Sequence, residues 1–424
     1  MEKSRKVAFV TLGCKVNQYE SNAMAQKFID NNYKICDIED TPDIIIVNTC
    51  TVTNIADRKS RQLLRKAKEE NPNAVVVACG CYVQVAKDKI DNIKEINLSI
   101  GNSEKKDIVQ IVESYINQNE AINEIIDVNK EKEFSEMGLV TFTEKTRATI
   151  KIQDGCNNFC TYCLIPYARG RVRSRNKDNI LEEVKEIAKK GIQEIVITGI
   201  HIASYGLDFE NEYKLIDLLE DLNKIEGIKR IRLGSLEPSL ITDEFTNRLS
   251  KLDKNCNHFH LSLQSGCDET LKRMNRKYTT DEFRKVVDRL RNTFKDVNLT
   301  TDIIVGFPGE TDEEFNKTYS FLKEIKFYKM HVFKYSPREG TVASKMPNQI
   351  DGNIKEERSQ KLIELSDKNQ EEYNKTYFSK QQEVLFEEQK NGVWTGYTTN
   401  YVKIMYKSDE NLENKILKIY CKNF

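Results

Sequence analysis

The sequence predicts an α/β chain in three parts: an N-terminal parallel-sheet, Rossmann-like domain, a partial (β/α)6 barrel, and a small C-terminal β domain. Three observations carry this. Short apolar runs alternate with helical patterns over residues 1–128, and again over 147–347. A polar stretch, 129–146, separates the two series. Beyond residue 381 the apolar period becomes two.

In the first series the candidate strands are KVAFVTLGC, DIIIVNTC, AVVVACGC and the weaker EINLSIGN, with the helical stretches NQYESNAMAQKFIDNN and IADRKSRQLLRKAKEENP between them. Continuous apolar strands suit a parallel sheet covered by helices on both faces. The stretch 129–146, containing NKEKEF, reads as a linker. The second series supplies six strands: ATIKIQDGC, EIVITGIH, RIRLGSLEP, HFHLSLQSG, LTTDIIVGFPG and YKMHVFKYSP. Six βα units fall short of the eight in a closed barrel, so an open one is expected. A charged connecting helix falls within 348–380. The runs VLFEE, GVWTGYTTNYVKIMY and KILKIYC then form the β domain, 381–424.

Lys+Arg and Asp+Glu both number 66 in 424 residues, so no global basic field exists and any nucleic-acid site must be a local patch. Mean hydropathy is −0.60, and no apolar run is long enough to span a bilayer. The start, MEKSRKVAFVTLGC, lacks a long apolar region and a small-residue cleavage site. A cytoplasmic monomer with no membrane partner is expected. Eleven cysteines, an odd count, point away from a pure disulfide framework and toward metal binding or chemistry. Only four histidines are present, so His-centred acid–base catalysis has little support.

Cys156, Cys160 and Cys163 lie within QDGCNNFCTYC, straight after a candidate strand. A tight loop can wrap one cubane with three thiolates and leave the fourth iron open to a small chelating molecule. Zinc is the main competitor, but a structural zinc site wants a fourth ligand, and no fourth Cys or His lies close by in sequence. Cys14, Cys50 and Cys81 are spaced by 36 and 31 residues, yet each closes a candidate strand: TLGC, VNTC and ACGC. Ligands of open parallel sheets bind beyond the carboxyl ends of strands, and neighbouring strands lie about 4.8 Å apart. Cys79, two residues before Cys81 on the same strand face, is an equal candidate on geometry alone.

The spacing C-x3-C-x2-C, with an aromatic before the last Cys at the first barrel strand, resembles the radical S-adenosylmethionine (SAM) superfamily. The resemblance implies a [4Fe–4S] cluster on Cys156, Cys160 and Cys163. SAM would chelate its open iron, and reduction would cleave SAM to a 5′-deoxyadenosyl radical. It further implies that Tyr162 lies against the adenine and that Thr198 and Gly199 meet the SAM amino group. There the family often has Gly-Gly-Glu, so this chain departs from its pattern. Glu237 is a ribose-contact candidate, or else an ordinary loop carboxylate. Gln264 ends the fourth strand in LSLQSG, and DIIVGFPGE ends the fifth.

TLGCKVNQYES, VNTC and GCYVQ are similar to motifs of the methylthiotransferases, and the likeness covers nearly the whole chain. It implies a second [4Fe–4S] cluster on Cys14, Cys50 and Cys81, which selects Cys81 over Cys79. It also implies two SAM per turnover. One methylates a sulfur held at the second cluster; the other activates the substrate carbon. An electron donor and a sulfur donor are implied partners. LGCKVNQYES and GCNNFCTYCLIPYARGRVRSR look like the branch acting on threonylcarbamoyladenosine at position 37, in the anticodon loop of tRNA. The other branches act on isopentenyladenosine in tRNA or on a ribosomal-protein aspartate. A non-catalytic iron–sulfur sensor that binds RNA is the alternative from another class.

In YARGRVRSR the residues Arg169, Arg171, Arg173 and Arg175 alternate, so in an extended segment all four share one side. That row beside the cysteine loop suits phosphate, hence RNA, unless the arginines pair with acidic helices. The C-terminal β domain resembles a TRAM domain. The aromatics of VWTGYTTNYVKI are candidates to stack on bases, with Lys403 beside them. From Ser366 onward nine Lys face nine Asp+Glu, so the tail is not basic overall.

Overall fold

The computed structural model describes residues 4–118, 125–142 and 146–421. The N-terminal unit is a five-stranded, all-parallel sheet. Its spatial order is Lys34–Ile35, Lys6–Thr11, Ile44–Thr49, Val75–Gly80, Leu98–Ser99. The third strand, Ile44–Thr49, is buried throughout because helices cover both faces. Helices Lys15–Asp30 and Ile108–Gln118 pack with Val7, Ile44, Ile46 and Val77 on one face. Helix Asn54–Glu70 packs with Ala8, Ile45, Val47 and Val76 on the other. Chain order reverses beside the strand Lys6–Thr11, which opens a crevice beyond its carboxyl end and that of Ile44–Thr49.

All six expected barrel strands form: Arg147–Asp154, Glu194–Gly199, Arg230–Leu233, His258–Gln264, Asn298–Val305 and Lys329–Lys334. They pair in parallel within two sheets, which meet at an Ile231–Asn255 bridge to make a curled half-barrel. Ile150, Ile152, Ile197, Leu261, Leu263 and Ile303 point outward into a helix-covered core. Each such side chain contributes about 1.5–3 kcal/mol by leaving water. Alternation turns Lys151, Gln153, Thr198, Arg232, His260 and Asp302 to the concave face.

The linker segment 129–146 packs against the domains it joins. Met137 and Val140 are buried in the N-terminal core, and Glu136 binds Arg175. Its apolar positions are sparse, but Met137 and Val140 join the N-terminal core and the Val140 N–H donates to Glu183 (3.1 Å). Residues 143–145 lie outside the described ones.

Helix Gly352–Tyr377 leads to a four-stranded antiparallel sheet ordered Lys403–Lys407, Val393–Thr398, Gln381–Lys390, Ile416–Tyr420. This sheet closes the amino-terminal end of the half-barrel, opposite the cysteines. Arg232 donates to the Thr399 carbonyl (3.0 Å) and Arg230 to that of Tyr397 (3.0 Å). The Tyr401 ring lies against His258 and Arg232. Tyr397 stacks on Tyr401, and Trp394 is buried. The aromatics expected to stack on bases are thus largely consumed by packing. Tyr406 and Tyr420 remain exposed, as does Lys403. No described helix is long and apolar enough to cross a membrane.

Candidate functional site

The first cysteine group grows out of the sheet's switch point. Cys14 is the N-cap of helix Lys15–Asp30, Cys50 follows the strand Ile44–Thr49, and Cys81 opens the short helix Cys81–Val85. Gly80 makes the turn that separates Cys81 from Cys79. Its φ is +98°, and a Cβ there would lie 2.4 Å from the Thr49 carbonyl oxygen. Cys81 therefore leaves the strand, and the shared face expected for Cys79 and Cys81 does not exist. Cys79 points into the helix-packed core, where burial pushes its thiol to about 11. Cys14, Cys50 and Cys81 lie near enough to bear on one another's charge. Cys14 is exposed, whereas Cys50 and Cys81 are buried, and burial pushes the Cys50 thiol to about 11.

The second group lies on the loop after the strand Arg147–Asp154. The loop is pinned from several sides. The Cys156 N–H donates to the Gly170 carbonyl (3.0 Å), Thr161 N–H to that of Met274 (3.1 Å), and Ala343 N–H to that of Thr161 (2.8 Å). Gly155 admits the close pass: its φ is +71°, and a Cβ would meet the Arg171 carbonyl oxygen at 1.8 Å. Each sulfur receives a donor. Asn158 N–H faces Cys156 Sγ (3.5 Å), Ile165 N–H faces Cys163 Sγ (3.4 Å), and Arg276 Nη1 faces Cys160 Sγ (3.4 Å). Burial raises the Cys156 thiol and pushes Cys163 to about 12. Ligation would release those protons.

Beside this loop Glu237, a candidate from the sequence, is joined by two residues the sequence reading missed, Arg276 and His201. Arg276 Nη2 donates to both Glu237 oxygens (2.7 and 2.8 Å). His201 Nε2 lies 3.6 Å from Glu237 Oε2 and 3.2 Å from Asn158 Nδ2. Burial would raise the Glu237 carboxyl, but the His201 hydrogen bond and the Arg276 charge hold it below its ordinary range. Glu237 is therefore a tethered carboxylate, not a free loop acid. His201 follows the second barrel strand directly, so the strand-end rule could have found it. Arg276 carries no such signal.

The other candidates line the same mouth. Tyr162 is half-buried with its ring edge-on to Phe307 (6.3 Å). Thr198 and Gly199 end the second barrel strand. Gln264 ends the fourth, at φ +69° beside a register shift against Ile303. Bulges of this kind re-aim side chains at sites.

The arginine row is corrected by the structure. Arg169 ends helix Ile165–Arg169 and is fully buried, with Arg173 and Arg175 buried beside it. The three are paired, not solvent-facing. Arg175 binds Glu136 and Glu183 (2.9 and 3.0 Å), and Arg173 donates to the Arg169 carbonyl (2.9 Å). Arg171 alone of the four is exposed, over the Phe159 ring. The chain turns at Gly170, φ +72°, so the segment is not extended and alternation does not apply.

Arg169, which follows the barrel's cysteine loop in the chain, instead docks into the N-terminal cysteine group. Its Nε faces Cys81 Sγ (3.2 Å), Nη2 donates to Asn17 Oδ1 (2.7 Å), and Nη1 pairs with Glu20. Glu20 also receives Lys105 (2.6 Å) and Lys151 (2.7 Å), and Lys151 reaches Asp154 (2.6 Å). Burial alone would raise the Glu20 carboxyl, but Arg169, Lys105 and Lys151 hold it well below its usual range. With Arg173 also 4.0 Å from Asp154, the cations of this network outnumber its two carboxylates, and Arg169 turns positive charge toward a cysteine sulfur. An anionic, thiolate-held group fits there. Two sets of converging thiols, each with N–H donors, are a donor set for iron–sulfur chemistry.

Residues 150–322 match the radical SAM superfamily, and residues 6–101 match an uncharacterised family, UPF0004. The chain is 42% identical to the threonylcarbamoyladenosine tRNA methylthiotransferase MtaB of Bacillus subtilis, across 97% of this chain and 93% of that protein. It is 41% identical to MtaB of Aquifex aeolicus, across 94% and 96%. Identity is 36% to a tRNA-2-methylthio-N(6)-dimethylallyladenosine synthase of Thermoanaerobacter, across 96% and 88%. Among solved structures, the fold is like that of the radical SAM methyltransferase TsrM of Kitasatospora setae (TM-score 0.61, 14% identity, 85% of each chain). The thiol loop at the mouth of a half-barrel, the sheet docked across it and these full-length likenesses agree: the chain belongs to the radical SAM methylthiotransferase family.

Proposed function

We propose that this chain converts N6-threonylcarbamoyladenosine at position 37 of the tRNA anticodon loop to its 2-methylthio derivative, using two [4Fe–4S] clusters and two SAM per turnover. The observation that supports this reading is that Arg169, just past the barrel's cysteine loop, crosses the domain junction to Cys81 and Glu20 of the N-terminal unit. A methylthiolating enzyme needs a place to hold sulfur beside the place where the substrate carbon is activated. As a radical SAM enzyme the chain uses SAM and a [4Fe–4S] cluster. When bound, that pair supplies one-electron chemistry strong enough for an inert aromatic C–H.

The chain's own residues bind and orient. Cys156, Cys160 and Cys163 would hold the barrel cluster, with Arg276 donating to Cys160 and fixing Glu237. Tyr162, Thr198, Gly199, Glu237 and Gln264 would surround SAM at the strand ends. Cys14, Cys50 and Cys81 would hold the second cluster, with Arg169 offsetting its charge. Cys79 is left to the core. An electron donor and a sulfur donor would complete the reaction, and a tRNA substrate is consistent with a cytoplasmic enzyme. Identity of 42% to a threonylcarbamoyladenosine enzyme, against 36% to a dimethylallyladenosine enzyme, favours the first substrate.

Mass spectrometry of tRNA nucleosides and ribosomal peptides from a deletion strain tests this. The 2-methylthio-threonylcarbamoyl nucleoside should vanish while its unthiolated parent accumulates. Loss of a methylthio group from a ribosomal peptide, with tRNA unchanged, would overturn the assignment. Anaerobically reconstituted protein should hold about eight iron atoms, and replacing either triplet by Ala should leave about half. An enzyme that binds both clusters yet forms no 5′-deoxyadenosine from SAM and reductant would instead be a sensor.

A further inference from the structure

We propose that His260, Asp302 and His331 form a mononuclear site for a divalent transition-metal ion on the concave wall of the half-barrel, separate from both thiol groups. The three residues stand on three adjacent parallel strands, His258–Gln264, Asn298–Val305 and Lys329–Lys334. Register aligns Asp302 with His331, and His260 with Thr300, which is two residues before Asp302 on the same face. Neighbouring Leu261, Ile303 and Met330 are buried in the helix-covered core. By alternation His260, Asp302 and His331 therefore face the lumen.

Their ligand atoms all lie within 4.8 Å of one another. His260 Nε2 stands 3.2 Å from Asp302 Oδ2, and the two imidazole rings are 5.6 Å apart between centroids. That spacing leaves room for an ion at ordinary bond lengths of about 2.0–2.2 Å after small side-chain rotations. The outer contact is present too. His260 Nδ1 shares a hydrogen bond with Thr300 Oγ1 (2.9 Å), which orients the ring and turns Nε2 toward Asp302. A simple His–Asp pair would account for His260 and Asp302. It would not account for a second imidazole converging on the same point.

Two imidazoles and one carboxylate on one side of an ion are the donor set used for ferrous iron, zinc and their neighbours, and they leave coordination positions open. The Tyr401 ring packs against His258, on the amino-terminal side of His260 along the same strand. The site stands independently of the proposed reaction, since it needs neither tRNA nor SAM.

The test uses the full chain with its clusters reconstituted anaerobically, so that cysteines are occupied. Mn2+ is the first probe, because it prefers nitrogen and oxygen donors to thiolates. Bound Mn2+ is counted from loss of the free-ion electron paramagnetic resonance signal. A parallel arm adds 57Fe2+ and reads the high-spin ferrous Mössbauer doublet, which is distinct from that of a cubane. One ion per chain is expected, with affinity falling at least about tenfold in His331→Ala and in Asp302→Asn. His331 is exposed, so its variant should fold, and unchanged cluster absorption will confirm that. Stoichiometric binding of neither ion by the parent, or equal binding by both variants, overturns the proposal.

Discussion

Replacing Arg169 by methionine isolates the device that joins the two halves of the site. The substitution keeps an aliphatic stem of similar length and removes five N–H donors. Glu20 would retain Lys105 and Lys151, and Asp154 would retain Lys151. Asn17 Oδ1 and Cys81 Sγ would each lose the donor that Arg169 supplies. Removing one partner of a buried charged set costs about 3–5 kcal/mol. Two lysines still neutralise Glu20, so the lower end applies: about 3 kcal/mol, or more than a hundredfold in the folding equilibrium. Arg169→Lys should recover only part of this, because one ammonium cannot span Glu20, Asn17 and Cys81 together. The assay is urea unfolding followed by far-UV circular dichroism, with iron content measured alongside. Arg169→Met should lower the midpoint and lose about half of the iron, through the N-terminal triplet. A loss below about 1 kcal/mol with full iron retained would refute the idea that this network sets the junction.

Three further outcomes follow from the same geometry. Gly155→Ala forces a Cβ into the Arg171 carbonyl at positive φ, so the cysteine loop should fail to close and the barrel triplet's iron should be lost. Full iron in that variant would show that the loop has slack the contacts deny. Cys79→Ala should cost about 1 kcal/mol of packing and keep all iron, whereas Cys81→Ala should lose the N-terminal half. Elemental analysis of the two variants separates them. Glu194 lies between Arg232 (2.7 Å) and Arg230 (3.5 Å) at the seam with the C-terminal domain. Burial would raise its carboxyl, but the Arg232 charge and hydrogen bond hold it below the ordinary 4.5. Its contribution is therefore fully present above about pH 4.5 and is lost as pH falls through the lower folded value. The stability gap between the parent and Glu194→Gln should be widest at neutral pH and narrow in acid. The single Trp394, buried in that domain, reports it by fluorescence. A gap that widens below pH 4.5 would contradict the sign.

Much of the architecture was readable from local pattern. All six barrel strands and the parallel N-terminal sheet follow from apolar runs of strand length alternating with helical periods. The alignment of Cys14, Cys50 and Cys81 was readable because parallel strands end on one side of a sheet, whatever the distance between them along the chain. Alternation misled wherever the backbone turned. Gly170 broke the arginine row, and Gly80 broke the shared face of Cys79 and Cys81. The aromatics of the C-terminal domain misled differently. A ring that packs against Arg232 and His258 has the same sequence signature as one that stacks on a base.

By itself, then, the sequence determined the fold class, the strand-end positions of Cys14, Cys50 and Cys81 and the family motif around Cys156, Cys160 and Cys163. These rest on periodicity and short spacing, which each segment carries within itself. Only the tertiary structure decided what surrounds those cysteines. Arg169 meets Glu20 across 149 positions of chain, Arg276 meets Cys160 across 116, and His331 approaches His260 on a strand two removed from it. Such meetings depend on how domains dock and strands register, so no local pattern encodes them. Burial then made charge balance, not exposure, the rule that fixed each partner.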